Sequence, residues 1–286
     1  MKISIVTPSF NQVSYIKETI SSIVNQGYSD LEYLIVDGGS SDGSADVISN
    51  FKDKLAYWCS EPDAGQSNAI MKGFSKCTGE LFAWVNSDDV LFPNCLRLVA
   101  EYYLKNDKPD IITANIAYID ARSEIKRFIR VPQPSQYFFE RGVWNSTQPC
   151  VFYRRDLFRE LGGLNTNYHL SMDVDLWARC MKAGARCIHI PVYLGGFRWH
   201  HSAKTVISMR SRHKKENLET AKILNANLND SSLVSREMWR FVMKVYRTIN
   251  LHYLMAYVDY KQIYPSCHWH EYVKSQHFLN QLVALK

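Results

Sequence analysis

The decapeptide Leu81-Phe-Ala-Trp-Val-Asn-Ser-Asp-Asp-Val90 changes character in its middle. Its apolar and aromatic half, Leu81 to Val85, gives way at once to Asn86, Ser87, Asp88 and Asp89. Such a run predicts a buried strand whose carboxyl end delivers two adjacent carboxylates into a crevice, where open α/β sheets bind their ligands. Neighbouring carboxylates repel unless a cation stands between them and a ligand. Hard oxygen donors suit Mg²⁺ or Mn²⁺, ions that usually bridge to substrate phosphates. Taken alone, the same Ser-Asp-Asp serves equally as a turn that caps a helix starting near Pro93.

The preceding residues repeat the pattern. Lys2–Pro8 is a β-branched run closed by Thr7-Pro-Ser-Phe-Asn11. Within Val13–Gln26 the apolar positions Ile16, Ile20, Ile23 and Val24 form a helical stripe that Gly27 stops. Leu31–Val36 reads as a second strand, ending at Asp37 and followed by Gly38-Gly-Ser-Ser-Asp-Gly43 and a helix to about Lys52. Leu55–Ser60 reads as a third, followed by Glu61-Pro-Asp-Ala-Gly65 and a helix from Gln66 to Lys76. Four β-turn-α units in succession predict a parallel, right-handed, doubly wound sheet. Each strand ends in a polar cluster: Thr7 and Asn11, Asp37, Asp63, then Asp88 and Asp89. Four such ends converge on one crevice, where a nucleotide would sit. Neither Gly-x-Gly-x-x-Gly nor a Walker loop is present, so a dinucleotide dehydrogenase or a P-loop enzyme is disfavoured. The glycines of 38–43 then serve a tight turn and a close backbone approach. A metal must neutralise the diphosphate, which points to Asp89.

Further along, a helix from Pro93 to Asn106, a strand at Asp110–Tyr118 and a hairpin partner at Ile125–Val131 are predicted. Cys150–Tyr153 reads as a strand and Arg154–Leu161 as a short helix closed by Gly162-Gly163. Met172-Asp-Val-Asp-Leu-Trp177 opens a helix reaching Lys182. Asp173 and Asp175 sit at its N-terminus, where capping and the helix dipole favour carboxylates; two of them exceed what capping needs, and one is free to face the crevice as a base. Arg186–Ile190 and Val192–Phe197 read as two short strands. Arg198-Trp-His-His-Ser-Ala-Lys-Thr205 is either a surface turn or a mobile loop whose cations clamp a diphosphate.

The chain has 286 residues, enough for one large or two small domains, and its 46% hydrophobic and 22% charged content is that of a soluble globular protein. Seven scattered cysteines without a Cys-x-x-Cys pair predict buried thiols in a reduced, cytosolic compartment. Neither a signal peptide nor a spanning helix is expected. Of the net charge of +6, the excess belongs to residues 201–286, with 13 Lys/Arg against 6 Asp/Glu, leaving 21 and 22 before them. That C-terminal part is predicted helical over Val206–Leu224 and from Leu233 past Ile249. Trp239, Phe241, Val242, Val245, Tyr246 and Ile249 are interleaved there with Arg236, Arg240, Lys244 and Arg247. Such a helix suits packing on the parent domain, a second subunit or a membrane interface. Its aromatics recur at helical spacing, which argues against nucleic acid. His268-Trp-His270 lacks further spaced ligands and is read as surface.

Ile5-Val-Thr-Pro-Ser-Phe-Asn11, Val36-Asp-Gly-Gly-Ser-Ser-Asp-Gly43, Ser60-Glu-Pro-Asp-Ala-Gly65, Asn86-Ser-Asp-Asp89 and Met172-Asp-Val-Asp-Leu-Trp177 together resemble the family 2 glycosyltransferases, inverting enzymes of GT-A fold. The resemblance spans roughly residues 1–205, the expected catalytic domain, with 206–286 as a helical extension. It implies that Thr7 and Pro8 line the nucleotide base and that Asp37 accepts a hydrogen bond from it, typically uracil. Asp63 belongs to the next nucleotide-side turn. Asp88 would contact ribose or donor sugar, Asp89 would ligate the divalent cation (Mn²⁺ or Mg²⁺), and Asp173 would be the catalytic base. His200 matches a mobile segment near the diphosphate or metal, with Arg198 beside it. Asn68-Ala and Met71-Lys-Gly73 stand where members often carry Asp-Ala and Asn-Lys-Gly, and Met172 precedes the base where Glu or Gly is common. These departures bear on the donor-sugar contacts and the shape of the acceptor site. The expected function is metal-dependent transfer from a nucleoside-diphosphate sugar, UDP-linked by this resemblance, to a glycan or lipid-linked acceptor, on the cytoplasmic side. The rivals are a silent nucleotide-sugar-binding module and a nucleotidyltransferase. The latter would need a basic triphosphate loop, and Thr7–Val13 holds no Lys or Arg.

Overall fold

The computed structural model describes residues 1–134 and 148–204 and, beyond them, 238, 241–242, 244–246, 248–261 and 267–283. The predicted helix over 206–224, most of that over 233–249, and Thr205 lie outside the described residues.

Strand β1 (Ile3–Ser9) is buried along its whole length. It lies between β2 (Leu31–Asp37) and β4 (Leu81–Trp84), parallel to both, with β3 (Tyr57–Ser60) parallel on the far side of β2. The register puts Ser9 beside Asp37 and Asp37 beside Ser60, so the carboxyl ends share one edge. The crossovers are α1 (Ile16–Val24), α2 (Ser44–Ser49) and α3 (Gln66–Phe74). α3 lies so close to β1 that a Cβ on Gly73 would meet Val6 Cγ1 at 2.5 Å.

The second half of the sheet is mixed. β8 (Val151–Arg154) runs antiparallel to β4, β6 (Ile111–Ile119) antiparallel to β8, and β9 (Cys187–Arg198) parallel to β6. β5 (Val90–Leu91) pairs antiparallel with β9 at the far edge, and β7 (Ile125–Ile129) forms the predicted hairpin with β6. The result is one nine-stranded sheet, with order β3-β2-β1-β4-β8-β6-β9-β5. Where the sequence reads two short strands, a single β9 runs through; Pro191, which has no N–H, falls at an irregularity where the register shifts between Ala114 and Asn115. The two-residue β5 is too short for periodicity to find.

One apolar layer places α1 and α4 (Cys95–Lys105) against the sheet through Ile16, Ile20, Leu96 and Val99. The other places α3, α5 (Arg155–Glu160) and α6 (Met172–Lys182) against Val6, Trp84 and Val151. Trp84 stacks on Tyr153 with centroids 5.6 Å apart. The described helices of the extension, α7 (His252–Lys261), α8 (Trp269–Tyr272) and α9 (Gln276–Val283), include residues that join the first layer. Trp269, Tyr272 and Phe278 surround Phe92, and Asp259 pairs with Arg130 at 2.8 Å. Among the described residues, these helices therefore pack on the first layer. All seven cysteines are free.

Candidate active site at the carboxyl edge of the sheet

At the β1 end, Thr7 is buried and accepts a hydrogen bond from Tyr33 Oη at 3.0 Å. Pro8 is buried beside Val36. Asp37, also buried, is enclosed by its own turn: Ser40 Oγ donates to Oδ1 at 2.6 Å, and Ser40 N–H and Ser60 Oγ donate to Oδ2 at 2.8 and 2.7 Å. Three donors leave acceptor capacity on Oδ1. Asp63 accepts from Gly65 N–H at 2.7 Å. A Cβ on Gly38 would stand 2.9 Å from Asp63 Oδ2, which is the close approach that the glycines of 38–43 permit. Phe10 projects from this end, 60% exposed, and Ser9 Oγ is buried without a partner among the described residues. Neither side chain is singled out by the sequence pattern; the signal for Phe10 is an aromatic just past a strand end, inside a polar turn.

The Asn86–Asp89 turn joins β4 to β5, and β5 is paired to β9, so the turn lies against the end of β9. Asp89 is 1% exposed. Its Oδ1 accepts from Arg198 N–H at 2.9 Å and its Oδ2 from Asn86 Nδ2 at 3.1 Å. Burial first, and the neighbouring Asp88 charge second, push its carboxyl well above the usual carboxylate range, against the pull of Arg198 and Asn86. Asp88 faces the other way, with Oδ2 3.0 Å from His200 Nε2; His200 Nδ1 lies 2.9 Å from Ser202 Oγ. Asp89 and His200, the expected metal pair, are not in contact here: His200 meets Asp88, and Asp89 turns inward to the β9 backbone.

Arg198, expected beside the diphosphate, points inward. Its side chain is buried, and it spends its donors internally: Nε on Asp88 O at 2.7 Å, Nη1 on Asp120 O and Ser123 Oγ at 3.0 and 2.8 Å, Nη2 on Glu18 at 2.7 Å. It braces the acid turn, with these donors turned into the protein. Lys204, from the same segment, does reach the crevice, donating to Gln66 Oε1 at 3.0 Å. Gln66 Nε2 in turn donates to Asn86 Oδ1 at 2.6 Å.

Asp173 and Asp175 divide their work. Asp175 is buried and paired with Arg179 at 2.6 Å, and Arg179 also holds Leu161 O and Gly163 O. Asp173, partly buried, accepts from Val174 N–H at 2.9 Å. Burial pushes its carboxyl up to about 6, partly offset by backbone N–H bonds and by the Lys204 ammonium. Asp173 therefore feels Lys204, which connects through Gln66 and Asn86 to Asp89. The start of α6 is moored to α3 by Ser67 Oγ, which donates to Tyr168 O at 2.7 Å. The Asp173 and Asp89 neighbourhoods are thus linked through Lys204, Gln66 and Asn86.

Among the described residues no group of three or more His, Cys, Asp or Glu could hold a metal ion by itself. A carboxylate and an imidazole in contact, Asp88 and His200, nevertheless fit a cation that takes its remaining ligands from substrate phosphates and water.

Sheet order, crossovers and acid turn define a GT-A α/β protein. The family model described as glycosyl transferase family 2 matches residues 4–162, and the chain belongs to that family. It is 25% identical over 193 residues to an uncharacterized glycosyltransferase of Rickettsia typhi, covering 64% of this chain and 59% of that protein. It is 27% identical over 196 residues to a PGL/p-HBAD biosynthesis glycosyltransferase of Mycobacterium bovis (strain BCG / Pasteur 1173P2), covering 66% and 74%. The chain thus spans less than two thirds of the Rickettsia relative. Among solved structures, TarS of S. aureus in complex with UDP-GlcNAc superposes with a TM-score of 0.66 at 17% identity, over 84% of this chain and 70% of TarS. The mannosyltransferase PcManGT of Pyrobaculum calidifontis, in complex with GDP-Man and Mn²⁺, gives 0.59 at 17% identity, over 84% and 68%. At that identity the likeness establishes the fold.

Proposed function

We propose that the chain is a divalent-cation-dependent, inverting glycosyltransferase that moves a sugar from a nucleoside-diphosphate donor to an acceptor hydroxyl. The observation that carries the reading is Asp173, whose carboxyl burial pushes up to about 6 and which feels Lys204, itself linked through Gln66 and Asn86 to the acid turn. A base poised near neutrality is suited to taking a proton from a hydroxyl. As the acceptor oxygen attacks C1 of the donor sugar, Asp173 takes its proton, the C1–O bond to the diphosphate breaks, and the nucleoside diphosphate leaves. Attack opposite the leaving group turns an α-linked donor into a β-linked product. Asp88 and His200 would hold the divalent cation, whose chemistry there would be charge neutralisation at the leaving diphosphate. Asp89 backs the pair from inside, and Lys204 lies between donor and acceptor sides.

The complexes of TarS with UDP-GlcNAc and of PcManGT with GDP-Man and Mn²⁺ support a nucleotide-sugar donor and a cation; they differ in the base. A UDP-sugar remains our choice. Phe10 offers the base an aromatic face. The acceptor is a glycan or lipid-linked hydroxyl in polysaccharide, glycolipid or cell-surface glycan synthesis. No helix among the described residues is long and apolar enough to cross a membrane. Peripheral contact or a dimer through the extension, on the cytoplasmic face, completes the proposal. The test is a nucleotide-sugar panel with and without Mn²⁺, scored for released nucleoside diphosphate and for the anomeric configuration of the product. Mn²⁺-dependent release with inversion supports the reading. Pyrophosphate release from a nucleoside triphosphate, or donor binding without turnover, would replace it with a rival.

A further inference from the structure

The Asp88-Asp89 turn is held from behind by a chain of side chains that ends in the C-terminal extension. Arg198 fixes both residues, through its backbone N–H on Asp89 Oδ1 at 2.9 Å and its Nε on Asp88 O at 2.7 Å. Its side chain is 0% exposed, so its charge needs an anion within the protein. Glu18 supplies it, with Oε2 2.7 Å from Arg198 Nη2. Thr19, the next residue on α1, adds its hydroxyl to Ser87 O and Asp89 O at 2.9 and 2.7 Å. Glu18 is itself clamped. Ser123 Oγ donates to Oε2 at 2.8 Å, and the Trp269 indole N–H donates to Oε1 at 2.5 Å.

Trp269 belongs to α8, some 70 residues beyond Arg198 in the chain. Its position is determined on three sides. It is 2% exposed and stacks on Phe92 with centroids 5.6 Å apart at 13°. Its backbone N–H donates to Ser123 O at 3.0 Å, and Ile125 N–H donates to Cys267 O at 2.9 Å. A bridge between Glu124 and His268 completes the seam. The segment 267–272 is thereby tied to the β6–β7 turn that also offers Asp120 O and Ser123 Oγ to Arg198.

We infer that Glu18 and Trp269 are positioning residues of the donor site: Trp269 orients Glu18, Glu18 orients Arg198, and Arg198 sets the direction in which Asp88 meets a cation and Asp89 turns away from it. The inference rests on the reading of Asp88 and His200 as the cation-binding pair. It gives the extension a part in the chemistry of the edge, beyond covering apolar surface. Truncating the chain before residue 267 removes the last donor of the relay.

The test uses the full chain and reads the Mn²⁺ concentration at which UDP binding is half-complete, by calorimetry, alongside thermal unfolding. Glu18→Gln keeps the shape but sets an amide N–H₂ against the indole N–H or the guanidinium. Trp269→Phe keeps the stack on Phe92 and deletes the donor. Asp259→Asn is the control: Asp259 anchors the same extension through Arg130 at 2.8 Å and Tyr193 Oη at 2.6 Å, away from the relay. Glu18→Gln is expected to raise the Mn²⁺ midpoint by about 10-fold, as removal of an outer-shell partner does. Trp269→Phe, one bond further out, moves it the same way by less. Asp259→Asn lowers the unfolding temperature and leaves the midpoint in place. Wild-type midpoints in both Glu18→Gln and Trp269→Phe would overturn the relay, and so would an equal shift in Asp259→Asn, which would make extension docking in general the cause. A wild-type protein that binds UDP equally well with and without Mn²⁺ would instead overturn the underlying reading of the site.

Discussion

Asp173→Asn is expected to make the protein more stable and far less active. Burial raises the Asp173 carboxyl from the usual 3.8 to about 6. Each unit is 1.36 kcal/mol, so holding this group ionised at neutral pH costs the fold at most about 3 kcal/mol. The amide keeps the shape, and its oxygen still accepts from Val174 N–H, a bond of 2.9 Å. It removes the charge. Between about pH 4 and 6 the folded chain retains a proton that the unfolded chain has lost, so the contribution of this residue falls as pH rises through that window and is constant above it. Urea unfolding at pH 4.5 and 7.5 should therefore show the variant gaining on the wild type as pH rises, by up to about 3 kcal/mol at the higher pH. Sugar transfer, scored as released nucleoside diphosphate, should fall by about 10²–10⁴-fold with donor binding intact. A variant that transfers at near the wild-type rate refutes the base. One destabilised equally at both pH values refutes the placement of the charge.

Other expectations follow from the same geometry. The wild-type kcat/KM should climb tenfold per pH unit and level off above about pH 6 as Asp173 ionises, a profile that the Asn variant lacks. Asp175→Asn should behave oppositely to Asp173→Asn: it weakens the 2.6 Å pair with Arg179, costs about 1–3 kcal/mol in urea unfolding, and leaves kcat unchanged. Gly38→Ala should push the 37–43 turn away from Asp63, 2.9 Å from the new Cβ, and weaken UDP binding in a titration. Gly73→Ala, whose Cβ would sit 2.5 Å from Val6, should cost about 1–3 kcal/mol as overpacking, read as a lower urea midpoint.

The parallel half of the fold was legible because each unit advertises itself: β-branched runs, a helical stripe at Ile16, Ile20 and Ile23, and a polar cluster at each strand end. The fold class, the family, the β6–β7 hairpin and the role of the 38–43 glycines follow from local pattern. Side-chain direction does not. Asp88 and Asp89 are indistinguishable as letters; β5 pairing with β9 turns one inward and leaves the other against His200. Arg198 looked like a phosphate clamp because it stands in a basic run. Its burial depends on Glu18, 180 residues away, and no local signal records that pair. Asp173 and Asp175 separate only once Arg179, one turn on, is seen to hold Asp175. The β5–β9 pairing, which sets the edge, rests on two residues.

The most direct test is anomalous diffraction from crystals grown with Mn²⁺ and UDP. A single Mn²⁺ peak is expected within bonding distance of Asp88 and His200, on the side of the crevice that Asp173 overlooks. A peak on Asp89 away from His200, or a nucleotide bound remote from Asp173, would contradict it.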